Sequence, residues 1–215
     1  MVPSSELSFP KYWVVIARII SVLFHPLLVG VYMAGFIIFF NPGYFRYIEP
    51  KMRVLSLATV FVNNLLFPVV VVLLMKGLGF IKSVYLRTQK ERIVPYMASV
   101  IFFFWTWYVF QNRYLAPQIL RDTLQGIFYG AIIGSIFNSY FKISMHAIGM
   151  GGLVGMMVAI LFDGSLFSLL PLALSVLMTG IVISSRLITG DHERGDVLAG
   201  FMVGMLAQGM AHSFL

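Results

Sequence analysis

The run SRLITGDHERGD (residues 185–196) stands between LFSLLPLALSVLMTGIVIS (166–184) and VLAGFMVGMLAQGMAHSFL (197–215). Each flank is predominantly apolar over 19 residues, about the length a helix needs to cross a bilayer. Eight of the twelve residues between them are ionisable or carry a hydroxyl. Charge beside a bilayer is costly, so a polar run held between two apolar segments marks a functional site. That one stretch sets the fold expectation, a polytopic helical bundle.

Composition agrees. Of 215 residues, 60% are hydrophobic and 11% charged, with a mean hydropathy of +0.92. A soluble domain carries about a quarter charged residues, and a chain of this size cannot wrap so apolar a core in polar surface. The length leaves room for roughly six or seven helices of about 20 residues and little else, so residues 1–215 form one unit. The net charge of +7 fits a bias of basic residues toward cytoplasmic loops and attraction to anionic headgroups. No solvated basic face with interleaved aromatics suggests nucleic acid. With no cysteine, disulfides, thiol catalysis and cysteine metal sites are excluded.

The apolar segments are expected at about 12–40, 54–75, 96–110, 123–141, 147–162, 166–184 and 197–215. Phe24-His25-Pro26 interrupts the first, where proline should kink or split the helix. The third is short and starts after Pro95, and its Trp105, Trp107 and Tyr108 suit an interfacial belt. Small residues recur every fourth position at Gly126, Gly130 and Gly134, at Ala147, Gly151 and Gly155, and at Gly200 and Gly204. In a bilayer such spacing lets helices approach closely, so three of the last four segments should pack together. Gly149-Met150-Gly151-Gly152 has no strand before it and no lysine at Walker spacing, so it reads as packing. If every segment crosses, the polar stretches 82–95, 142–146 and 185–196 fall on one membrane face.

The residues of those stretches carry chemistry. His192 and Asp196 are four apart, which on a helix places the carboxylate where it can hold the imidazole in one tautomer. Arg186 offers a planar fork suited to phosphate. His146 is a candidate general acid once a second histidine shares its face. The plainer readings are an N-cap for Ser144 and a juxtamembrane basic cluster for Arg87, Lys90 and Arg92. His25 and His212 read as structural or interfacial. No spacing suggests a metal site, and the paired aspartate clusters of a prenyltransferase are absent.

Ser185-Arg186, five residues, His192, three residues, Asp196 matches the third signature of the type 2 phosphatidic acid phosphatase family, and the continuation Val197-Leu198-Ala199-Gly200 is typical of it. Ser144-Met145-His146 resembles the second signature, Pro-Ser-Gly-His, with Ile143 for proline and Met145 for glycine. Arg87 to Pro95 resembles a divergent first signature, in which Tyr85 stands where the family has its lysine. The resemblance covers about residues 82–205. It implies a metal-free and cofactor-free phosphatase in which His192 is the nucleophile, Asp196 orients it and His146 protonates the leaving group. Arg186, Ser144 and Arg92, with Lys90 or Arg87 replacing the missing lysine, would hold the phosphate.

The expectation is therefore an integral membrane enzyme that hydrolyses a lipid phosphate monoester or diphosphate. The alternative is a catalytically silent binder of lipid phosphates. A small transporter is a weaker third, because the polar residues gather at one face and not at mid-span. The face opposite the site carries Arg46, Lys51, Arg53, Arg113 and Arg121. By the positive-inside rule this points the site away from the cytoplasm, as in the family, in a bacterial inner membrane. No pattern sets an oligomeric state.

Overall fold

The computed structural model describes residues 9–41, 43–81, 83–84, 89–112, 116–164 and 169–213, without the side chains of residues 89, 90 and 213. All regular structure among them is helical. The helices are α1 (Lys11–Leu23), α2 (Pro26–Gly35), α3 (Pro50–Phe61), α4 (Phe67–Gly77), α5 (Gln89–Gln111), α6 (Gln118–Tyr140), α7 (Met145–Phe162), α8 (Leu169–Ile188) and α9 (Arg194–Ser213). A π-turn at Phe36–Phe40 extends α2, and another at Val62–Leu66 joins α3 to α4.

Four helical stretches are long and apolar enough to cross a membrane: Pro50–Gly77, Glu91–Gln111, Met145–Phe162 and Leu169–Ile188. Counting α1 with the extended α2 as one broken span, bent by 53°, brings the number to five. The break falls at Phe24-His25, as expected from Pro26, whose ring disfavours helical backbone before it. His25 Nδ1 accepts from the Leu27 amide at 3.4 Å and caps the restarted helix. The third segment is longer than its sequence suggests, because α5 runs through Pro95. Pro95 removes only the bond to the Glu91 carbonyl, in the polar first turns of the helix.

The core of the bundle is α6, α7 and α9, and the small residues explain their closeness. A Cβ added to Gly204 would meet the Ile148 carbonyl oxygen of α7 at 2.0 Å, and one on Gly151 would meet the Phe201 carbonyl of α9 at 2.1 Å. Backbone therefore lies on backbone between α7 and α9, which only glycine allows. Gln208 of α9, 1% exposed, fills the space left by Gly126 and Gly155 and donates to the Thr123 carbonyl of α6 at 3.1 Å. The three-helix packing expected from the four-residue spacing is what forms. Large apolar side chains stay on the outside, including Tyr12, Trp13, Val15, Ile19 and Val22 of α1 and Leu170, Leu174 and Leu177 of α8. Hydrocarbon, not water, suits that exterior.

Candidate active site

Two tight joints build the site. The first is the α6–α7 connection, where Ser144 is fully buried and caps α7, its Oγ accepting from the Ala147 amide at 3.4 Å. The second is the α8–α9 connection. Here α8 continues four residues past the expected end, so Ser185 and Arg186 lie in its last turn. Gly190 then turns the chain at φ +68°, a backbone that favours glycine, and α9 begins at Arg194. The Ser144 amide donates to the Asp196 carbonyl at 3.3 Å and stitches the two joints together. Glycine again permits the approach, since a Cβ on Gly200 would sit 2.6 Å from the Ser144 carbonyl oxygen.

His192 precedes α9 and is not on a helix, so the shared helical face expected from its spacing to Asp196 is corrected. The turn nevertheless brings the pair together, with His192 Nδ1 3.5 Å from Asp196 Oδ2. That same oxygen accepts from the Glu193 amide at 3.1 Å, so Asp196 also acts as the reciprocal cap of α9. His192 is 8% exposed. Burial holds its basicity down to about 4, reinforced by the charges of Arg186 and Lys142 and opposed by Asp196. A neutral imidazole at neutral pH is the form that can attack.

Arg186 is fixed at one guanidinium nitrogen and contested at another. Nη1 donates to Ser21 Oγ at 2.9 Å, Nη2 to Asp191 Oδ2 at 2.6 Å, and Nε is buried with no protein partner among the described residues. Arg92, which hydrogen-bonds Tyr96, lies within electrostatic range of both Arg186 and His192. Arg87 falls outside the described residues, as does the side chain of Lys90. Lys142, two residues before Ser144, adds a cation felt by His192 and Asp191. Asp191 stays below the ordinary carboxylate range. Burial pushes it up, but its bond with Thr189 and the charges of Arg186 and Lys142 outweigh that.

The unexpected contributor is α1. The Ser21 carbonyl is 2.9 Å from His146 Nε2, and its hydroxyl is 3.3 Å from Ser185 Oγ as well as bonded to Arg186. A carbonyl only accepts, so Nε2 carries the hydrogen and Nδ1 is the nitrogen left for chemistry. His25 stands edge-on to His146, ring centroids 5.7 Å apart. It stands beside the site, where the sequence reads it only as structural or interfacial. No signal in the sequence singled out Ser21, one hydroxyl in an apolar helix. Lys142 was within reach of inspection as a cation flanking the serine of the second motif.

A groove of about 520 Å³ lies between α1 and α8, lined by Trp13, Ile20, Val176, Gly180, Ile188 and, next to Arg186, Ser185 among others. Among the described residues no group of histidine and carboxylates is arranged to hold a metal ion. No family model, curated protein or solved structure matches this chain.

Proposed function

We propose that this chain is a membrane phosphatase that hydrolyses a lipid phosphate monoester or diphosphate through a phosphohistidine on His192. The observation that carries the reading is the juxtaposition of a buried neutral imidazole backed by a carboxylate, a half-open arginine fork, and a second histidine braced by the Ser21 carbonyl. Cations fixed in a dry site stabilise charge developing on phosphoryl oxygens without reorganising.

In the proposed sequence the phosphate lies against Arg186, with Arg92, Lys142 and the Ser144 end of α7 nearby. Lys142 takes the place of the lysine missing from the first signature. His192 Nε2 attacks phosphorus while Nδ1–H leans on Asp196. The P–O bond to the lipid breaks, and the leaving oxygen takes a proton from Nδ1 of His146. A dianionic headgroup favours the imidazolium form His146 needs for this, because opposite charges nearby stabilise one another. Neutral His146 then takes a proton from water as water displaces the imidazole from phosphorus. Lipid alcohol from a monoester, or lipid monophosphate from a diphosphate, leaves with inorganic phosphate, and both histidines are restored.

The groove between α1 and α8 supports a lipid rather than a soluble phosphate, because its walls are largely apolar and its lining includes Ser185, the neighbour of Arg186. We further propose that α6 and α9 cross the bilayer too, giving seven spans when α1 and α2 count as one. At 23 and 20 residues they are about 35 and 30 Å long at 1.5 Å per residue. Their polar residues face each other and not lipid, as His212 Nδ1 lies 3.4 Å from Asp122 Oδ2 and Gln208 bonds Thr123. We place the site on the non-cytoplasmic side of a bacterial inner membrane, on the loop charges.

A silent lipid-phosphate binder is the second reading. It draws on Asp191 already occupying Arg186 and on Asp196 having a capping role of its own. Phosphate release from a panel of lipid phosphates and diphosphates, with EDTA present, separates the two. The enzyme releases phosphate in wild type and none in His192→Ala, whereas the binder releases none in either.

A further inference from the structure

Arg186 is an anion ligand held in place by its neighbours, and it is not vacant. Nε and Nη2 lie along one edge of the guanidinium, the edge that takes an oxyanion with two parallel bonds. Asp191 holds Nη2 at 2.6 Å through one oxygen, while Nε is buried with no partner among the described residues. The fork is therefore half filled, by a single carboxylate oxygen. The two partners differ in burial: the Arg186 side chain is 12% exposed, that of Asp191 52%. Arg186 is further pinned by Ser21. Asp191 rides on the short turn after Gly190, whose left-handed backbone sets it between α8 and α9. If one partner withdraws, it is the carboxylate.

Asp191 also lies against the cations proposed to hold the phosphate. The cations that act on it are Arg186 and Lys142, with His192 adjacent. These are the groups the proposed mechanism gives to the substrate. We propose that Asp191 is a built-in competing anion, a stand-in for the phosphoryl group that substrate displaces from Arg186 and that returns to expel inorganic phosphate. This rests on the phosphatase reading of the same site. A dianionic phosphate outcompetes one carboxylate because it brings more charge and fills both Nε and Nη2. After hydrolysis, the tethered carboxylate is always at hand to reclaim Nη2 and needs no diffusion. The device limits product inhibition and keeps weaker anions from settling in the fork.

The test uses inorganic phosphate as the probe, with affinity measured by calorimetry at pH 8 on detergent-solubilised protein. Asp191→Asn should bind phosphate about three- to tenfold more tightly than wild type, between the effect of an exposed ion pair and that of a charged buried hydrogen bond. Asp191→Ser, which keeps a small polar side chain on the turn, should do the same and guards against a folding artefact in one variant. Glu193→Gln removes a neighbouring carboxylate that does not touch Arg186 and should stay within about twofold, showing that overall charge is not the cause. Phosphate binding lost in Arg186→Lys but unchanged or weakened in both Asp191 variants would overturn the competitor and leave the phosphatase reading standing. No phosphate binding in wild type or in either Asp191 variant would count against both.

Discussion

Replacing Gly204 by alanine tests whether the α7–α9 contact holds the site together. The new Cβ would stand 2.0 Å from the Ile148 carbonyl oxygen and 2.7 Å from the Gly152 nitrogen, both backbone atoms that cannot rotate away. To reach an ordinary contact of about 3.4 Å, the helices must part by about 1.4 Å. Overpacking of this kind costs about 1–3 kcal/mol, and a rigid backbone obstacle belongs at the upper end. At about 2–4 °C per kcal/mol for a chain of this size, unfolding should shift down by roughly 5–10 °C. Function should suffer more than stability. Ser144 and His146 ride on α7, Asp196 rides on α9, and the Ser144–Asp196 backbone bond is already 3.3 Å long. A misplacement near 1 Å between reacting groups costs about a hundredfold in rate. The measurement is thermal unfolding and lipid phosphate turnover in one detergent, beside Gly209→Ala. Gly209 has nothing within 4 Å of its added Cβ, and alanine there should be neutral or stabilising by about 0.5–1 kcal/mol, as in any open helical position. If Gly204→Ala melts and turns over like Gly209→Ala, the backbone contact is not what aligns the two joints.

Two more predictions concern the third motif. Asp196→Asn keeps an acceptor for the Glu193 amide but removes the charge beside His192, so it should unfold within about 2 °C of wild type while turnover falls about a hundredfold or more, within the range of acid–base contributions. A matching fall in stability would make Asp196 only a cap. His192, held down to about 4 by burial and by Arg186 and Lys142, should stay neutral at pH 6, seen by NMR of labelled imidazoles as the signal missing from His192→Ala. Between about pH 6.5 and 4 the unfolded chain binds this proton and the folded one does not, so stability is complete above 6.5 and declines as pH falls through that window. His192→Ala should therefore unfold less steeply in acid, and an unchanged acid profile would contradict the assigned environment.

Much of this was legible from residue pattern. The apolar segments and the four-residue rhythm of small side chains both report local periodicity, and local periodicity survives into the packed helices. The third motif was legible because Arg186, His192 and Asp196 are close in sequence, although the loop, not a helix, brings the last two together. What was hidden depends on contacts across the whole chain. Ser21 meets His146 and Arg186 from 125 and 165 residues away, and no local property of α1 distinguishes that hydroxyl from one that merely bonds its own helix. Of the expected spans, α6 and α9 are not among the helices apolar enough to cross a membrane. Hydropathy sums all side chains alike, whereas Asp122, Gln208 and His212 are turned toward partners inside the bundle.

The central claim is a covalent phosphoryl group on His192. Its most direct test is a rapid acid-free quench of protein mixed with a lipid phosphate carrying labelled phosphorus, followed by mass spectrometry of the peptide around residue 192. The account predicts an acid-labile phosphate on the His192 imidazole that appears before lipid alcohol release is complete and is absent from His192→Ala. It also predicts more of the label in a His146 variant that can no longer activate water, relative to the alcohol it releases. Wild-type turnover with no label on His192, or turnover that persists in His192→Ala, would contradict the mechanism.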